Sequence, residues 1–121
     1  MSVFGDLARI APIGIWEGVL ARAVEGAQCS FAVVELDPGS VVPEHRHENE
    51  QLGVVLSGAV SMRIGDETRE ITAGDTYVIR PDLPHEARAG AEGAIVLDVF
   101  APAREDWKSL DREAPRPPRW P

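Results

Sequence analysis

The sequence predicts an all-β domain, a sandwich or barrel of short strands. Three observations carry that reading. Turn-forming residues recur every eight to twelve positions: Glu25-Gly26, Asp37-Pro38-Gly39, Ser57-Gly58, Gly65-Asp66, Ala73-Gly74-Asp75, Pro81-Asp82, Gly90 and Gly93. The segments between them are short and rich in β-branched and apolar residues. Only one stretch has the start signal and composition of a helix.

Taken in chain order, residues 15–24 offer an N-terminal strand, and Ser30–Leu36 a second. Leu52–Leu56 and Ala59–Ile64 follow, separated by Ser57-Gly58. Residues 59–71 read as a hairpin closed around Gly65-Asp66. There Val60, Met62 and Ile64 alternate with Ser61 and Arg63, so one face is buried and one wet. Arg69–Thr72 completes that hairpin, and Thr76–Ile79 and Ala94–Phe100 complete the strands. In the last, positions 94, 96, 98 and 100 share a face, while Ile95, Leu97 and Val99 share the other. The branched apolar face is expected to pack against protein, leaving Asp98 and Phe100 toward a lumen or solvent. An acid in an apolar strand is costly unless paired or functional, which makes Asp98 a candidate site residue. Residues 103–110, after Pro102, read as a short C-terminal helix of about two turns. The Pro-rich tail 114–121 is expected to be extended and peripheral.

The 121 residues suffice for one domain with one core, placed at about 15–103, with the short helix and tail at 104–121. The net charge of −8 argues against nucleic acid and anionic membrane surfaces as partners. An anionic ligand would need local arginines. The single Cys29 cannot form an intrachain disulfide, and residues 1–15 lack the apolar core of a signal peptide. No apolar run reaches membrane-spanning length. A cytoplasmic protein is expected. Cys29 itself reads as packing rather than nucleophile.

All three histidines fall where one metal site would want them. His45 and His47 stand two apart, with Gln51 four further on, and His85 follows Pro84. Residues 45, 47 and 51 share strand parity and can converge if the turn preserves it. Neutral imidazole is the commonest metal ligand, and a glutamine offers a carbonyl oxygen. Glu50 is one register slip away from the Gln51 position. Glu44 and Glu48 read as solvated, and Trp16, Met62 and Tyr77 as core or interface.

The stretch Gly39-x5-His45-x-His47-x3-Gln51-x6-Gly58 and the stretch Gly74-Asp-x-Tyr-x-Ile-x-Pro-x2-Pro-His85 resemble the two motifs of the cupin superfamily, with fifteen residues between Gly58 and Gly74. The resemblance covers roughly residues 30–100. It implies a double-stranded β-helix, the cupin jelly-roll barrel, in which His45, His47, Gln51 and His85 hold one divalent metal. Three departures stand out. Gln51 occupies a position usually held by Glu, Arg80 and Asp82 replace a common Pro and Gly, and Ala89 replaces a common Asn. The neutral glutamine would leave the cation its full charge and strengthen it as a Lewis acid. Nickel, zinc, iron and manganese all accept this ligand set.

A narrower resemblance runs from about Gly39 to Trp107. The residues Leu97-Asp98-Val-Phe100-Ala-Pro-Ala-Arg104-Glu-Asp106, with the His-x-His-x3-Gln pattern, are similar to the KdgF family of uronate-linearising cupins. That resemblance implies a non-redox, metal-dependent isomerase or lyase-like enzyme that opens 4,5-unsaturated monouronates from pectin and alginate breakdown. It places the family's active-site Asp, Phe and Arg on Asp98, Phe100 and Arg104. Arg104 would clamp a substrate carboxylate bidentately, and Arg88, just past His85, is a second candidate for that contact. Without the resemblance, Arg104 reads as a solvated residue at a helix start. Two other readings stay open: a small metal-dependent cupin dioxygenase or isomerase acting on another small anionic or carbonyl metabolite, and a non-catalytic ligand-binding cupin. Exposed apolar sheet faces suggest a homodimer.

Overall fold

The structure, a computed structural model, describes residues 2–121. It is the all-β barrel expected, with eight strands: β1 (Ile13–Trp16), β2 (Val19–Glu25), β3 (Ser30–Leu36), β4 (Val41–His45), β5 (Glu50–Ile64), β6 (Glu67–Thr72), β7 (Thr76–Ile79) and β8 (His85–Ala101). Every pairing among them is antiparallel, in the order β1-β2-β3-β8-β5-β6, with β4 on β8 and β7 on β5.

Two long strands organise the barrel. β5 and β8 pair from Glu50↔Ala101 to Ile64↔His85, and each crosses from one sheet face of the jelly roll to the other. Leu52–Leu56 and Ala59–Ile64 are therefore halves of one strand, and Ser57-Gly58 is a bend rather than a turn. The register shifts there, between Val55 and Ser57 and again between Gly58 and Val60. Gly58 has φ 78°, and a Cβ on it would lie 2.1 Å from the Gly93 carbonyl oxygen. A glycine is needed at this crossing, as at many bulged strands. One half of β5 pairs with β7 and the other with β6, so the bend distributes the chain between both faces.

Residues 15–24 do not form one strand. β1 and β2 are a hairpin turning at Glu17-Gly18, where Gly18 has φ 77°. The C-terminal helix is likewise shorter than expected, a single 3₁₀ turn at Asp106–Ser109. A segment of about two turns is too short to be stable as an α-helix on its own, since helices below about 12–15 residues are marginal in water.

The lumen is filled by alternate residues of the strands: Val19 and Ala21, Val34 and Leu36, Val55 and Val60, Val96 and Phe100. Each buried Val, Leu or Phe contributes about 1.5–3 kcal/mol. On β8 the lumen face is the one bearing Ala94, Val96, Asp98 and Phe100. Leu97 and Val99 on the opposite face are only half buried, reversing the expected preference. The outer face of β2 and β3 is buried for another reason. The tail is extended, yet not peripheral. Arg22, wholly buried, donates to Glu35 at 2.6 Å and to the Arg116 carbonyl at 2.8 Å. The Arg119 amide donates to Glu35 at 3.0 Å. The tail thus seals a buried ion pair that would otherwise face water. Beyond the tail the outer surface carries one apolar row: Val24, Phe31, Val99, Leu52 and Val78 lie directly opposite one another across five strands. Among the described residues no helix is long and apolar enough to cross a membrane.

Candidate metal centre

β4 ends at His45, the turn that follows carries His47, β5 opens on Glu50-Gln51, and β8 begins at His85. His45 and His85 are register partners across β4 and β8. One ring nitrogen from each of His45, His47 and His85 lies within 4.8 Å of the others.

The rings are oriented by the main chain. Nδ1 of His45 donates to the Pro43 carbonyl at 2.8 Å, that of His47 to Asn49 at 3.0 Å, and that of His85 to Leu83 at 2.8 Å. A carbonyl only accepts, so Nδ1 carries the proton and each neutral ring keeps an Nε2 lone pair. Nε2 of His85 is buried without a partner among the described residues. Nε2 of His47 faces Gln51 Oε1 at 3.1 Å, so two acceptors confront each other. A cation between them would satisfy both, and an orphaned buried nitrogen beside two further imidazoles makes the same demand. The donor set fits a divalent metal held by His45, His47, His85 and Gln51. Glu50 points outward and is exposed, while Gln51 is 8% exposed.

All three histidines are held below their ordinary pKa, with burial the largest cause. His85 falls to about 4 through burial, with the neighbouring His45, His47 and Arg104 adding to the effect against the Leu83 bond. Neutral imidazoles are what a metal requires.

One cavity is lined by His45, His85 and Gln51 of the cluster and by Asp98, Phe100 and Arg104. Asp98 is buried and its carboxyl is pushed up to about 6 by burial, against the pull of Tyr77, Gln51 and Arg104. Tyr77, buried itself, donates its hydroxyl to Asp98 Oδ1 at 2.6 Å. Tyr77 fits because residue 53 is glycine: a Cβ there would sit 2.0 Å from the phenol ring. Phe100 packs edge-on to His47 at 5.8 Å and to Trp107 at 5.2 Å.

Arg104 is no solvated side chain. It is 6% exposed and lies 4.9 Å above the Phe100 ring and 4.6 Å above Trp107. Its Nε and Nη2 donate to the two Asp106 oxygens at 2.8 and 2.7 Å. Asn49 holds the chain just before it, donating to the Pro102 carbonyl at 2.6 Å, and Ser30 Oγ accepts the Arg104 amide at 3.2 Å. Arg88 is different. It is exposed on the face of β8 opposite His85, Ala87 and Ala89, and takes no part in the cavity. Strand alternation makes that outcome readable from its odd-even offset to His85. Cys29 is exposed rather than packed.

Tyr77, Asn49, Asp106 and Trp107 are the members of this site that sequence reasoning missed. Tyr77 could have been found by parity: Gly53 and Tyr77 are register partners beside Asp98. Asn49 carried no signal.

The family model described as the cupin domain matches residues 32–100. This chain belongs to the cupin family. The pectin degradation protein KdgF of Dickeya dadantii is 28% identical over 75 residues, covering 61% of this chain and 68% of KdgF. The H2HPP isomerase of Bacillus subtilis is 38% identical over 64 residues, covering 51% of this cupin but only 27% of the isomerase. Among solved structures, KdgF from Halomonas superposes with TM-score 0.80 at 26% identity, covering 88% of this cupin and 98% of that chain. An RmlC-like cupin from Shewanella frigidimarina superposes with TM-score 0.81 at 24% identity, covering 88% and 96%, a likeness of fold. The cupin is KdgF-like in fold and in sequence.

Proposed function

We propose that this cupin is an enzyme that opens the ring of 4,5-unsaturated monouronates. The observation that carries the reading is one cavity lined by Asp98, Phe100 and Arg104 together with His45, His85 and Gln51, with His47 completing the histidine cluster beside it. The similarity to two KdgF proteins supports it.

When bound, a divalent metal would supply Lewis-acid polarisation of a substrate hydroxyl or carboxylate oxygen. The chain's own residues supply the rest. Arg104 pairs with the carboxylate of the sugar acid, which this acidic protein otherwise repels. Phe100 walls the cavity and excludes water. The reaction is an isomerisation: the bond between the anomeric carbon and the ring oxygen breaks, the anomeric hydroxyl loses its proton as the aldehyde forms, and the enol oxygen becomes a ketone as carbon 4 gains a proton. Asp98, with its carboxyl near 6, is poised both to take and to give that proton. Tyr77 holds the carboxyl in place.

The test follows the ultraviolet absorbance of unsaturated monouronates with protein loaded in turn with nickel, zinc, iron or manganese. Decay well above the spontaneous rate is expected, and Asp98→Asn should lower it at least 100-fold. Decay at the spontaneous rate with every metal overturns the reading.

The match to an isomerase at 38% identity favours a second reading, isomerisation of another small anionic carbonyl compound at the same site. Turnover of such a compound with no effect on uronates would select it. Oxygen uptake by the iron-loaded protein would instead select the dioxygenase reading.

A further inference from the structure

The geometry points to Asp106 as the residue that positions Arg104 and dictates how it meets an anion. This rests on the proposed uronate reading, in which Arg104 takes the substrate carboxylate.

A guanidinium offers donors along two useful edges, the side-on edge of Nε and one Nη, and the end-on edge of the two Nη groups. Here the side-on edge is already committed. Both Asp106 oxygens accept from it, at 2.8 and 2.7 Å, in a parallel two-bond fork. Rotation out of that plane is blocked by aromatic faces, Phe100 at 4.9 Å and Trp107 at 4.6 Å from the guanidinium carbon. Nη1 has no partner among the described residues, and Arg104 lines the cavity shared with His85 and Asp98. What remains for a ligand is the end-on edge. The clamp foreseen from sequence is therefore half built into the protein, with Asp106 on one edge and the substrate carboxylate on the other.

Two consequences follow. Asp106 is a positioning residue, since it touches Arg104 and not the reacting atoms. It also balances the charge of Arg104, so the pair recognises a monoanion by directed hydrogen bonds rather than by net positive charge. A singly charged carboxylate suits it better than a dianionic phosphate ester.

The experiment compares wild type, Asp106→Asn, Arg104→Lys and the double variant with an unsaturated monouronate. A mispositioned carboxylate contact weakens ground state and transition state alike, so Asp106→Asn should raise KM about tenfold with kcat within twofold. Arg104→Lys cannot form the fork and should raise KM at least as much. The double variant should match Arg104→Lys alone, because Asp106 acts only through that guanidinium. In nuclear magnetic resonance, the Arg104 Nε–H signal should be protected from exchange in wild type and lost to fast exchange in Asp106→Asn. A merely structural role predicts instead additive losses, a fall in kcat, or a KM that does not move, and any of these overturns the inference. If wild type turns over while Asp106→Asn keeps both its KM and its Arg104 protection, the inference alone fails. If wild type does not turn over, the uronate reading fails and this inference with it.

Discussion

At the scale of single residues, the site depends on what a glycine leaves empty. Tyr77 reaches Asp98 only because Gly53 has no side chain. Gly53→Ala forces the phenol out of its place, and overpacking of this kind costs about 1–3 kcal/mol. The Tyr77–Asp98 bond breaks with it, leaving a buried carboxyl without its donor. We expect a lower midpoint in urea and a large loss of turnover. Tyr77→Phe, which keeps the ring and removes the hydroxyl, should lose turnover and lower the midpoint only by the lost hydrogen bond, about 1 kcal/mol. Equal behaviour of Gly53→Ala and wild type would show that the ring does not need that space. Much of this was legible in the sequence: an acid in an apolar strand announced Asp98, and the histidine spacing announced the cluster. Asp98's partner was not, because Tyr77 and Asp98 lie 21 residues apart and meet only through the pairing of β7 and β8 with β5. Arg104 was misjudged on composition alone. Its neighbours Glu105 and Asp106 look like a solvated charge run, but Asp106 pairs with it and two aromatic rings bury it.

At the scale of elements, the histidines sit at strand ends, where the barrel mouth buries them without partners for a positive charge. That placement ties folding to pH. In the folded chain His85 titrates near 4, and His45 and His47 also lie below 6.5. Unfolding restores their ordinary proton affinity. Between about pH 6.5 and 4 the unfolded chain therefore binds more protons, and the stability of metal-free protein falls as pH falls through that window. Asp98 opposes this trend. Its folded carboxyl keeps a proton up to about pH 6 that the unfolded chain releases near 3.8, so its contribution is present at low pH and lost as pH rises. Asp98→Asn removes the opposing contribution. Urea titrations across this range should give a steeper pH dependence for the variant, and parallel curves would refute the assignment of the buried proton to Asp98. Turn residues marked the elements only in part: β4 and residues 85–93 of β8 carry no strand signal of their own, residues 15–24 are a hairpin rather than one strand, and glycine misleads at one bend. Ser57-Gly58 was read as a break between strands, whereas a bulge lets one long strand bend there and continue. Sequence cannot tell the two apart, since both need glycine at positive φ.

At the scale of the whole molecule, the apolar row across five strands is what water would most readily drive together. Val24, Phe31, Leu52 and Val78 are 41%, 37%, 46% and 58% exposed. Two copies meeting across this row would make the expected homodimer, an isologous contact in which the same residues serve both sides. Light scattering should give twice the chain mass. Leu52→Glu, at the centre of the row, should yield monomer with its fold retained, and a monomeric wild type would remove the dimer altogether. The row itself brings no like charges into contact, and the longer-range repulsion between two chains of net charge −8 is screened by salt, so the dimer should tighten as ionic strength rises. The all-β class was legible from the spacing of turns, and the barrel from the resemblance carried by the two histidine motifs. The burial of the tail was not, because its anchors, the Arg116 carbonyl, the Arg119 amide and the Arg119 guanidinium on Glu35 and Asp37, join residues far apart in sequence that no local pattern links.

The tethering of each imidazole to a carbonyl two residues away has a consequence for how the centre can change over time. Its aim is written in the local backbone, so neighbouring side chains can drift without misdirecting a ring. The cluster behaves like a socket moulded before anything is plugged in. Such a frame would take different ions without changing shape, and new chemistry could arise on the surrounding wall while the socket stays the same.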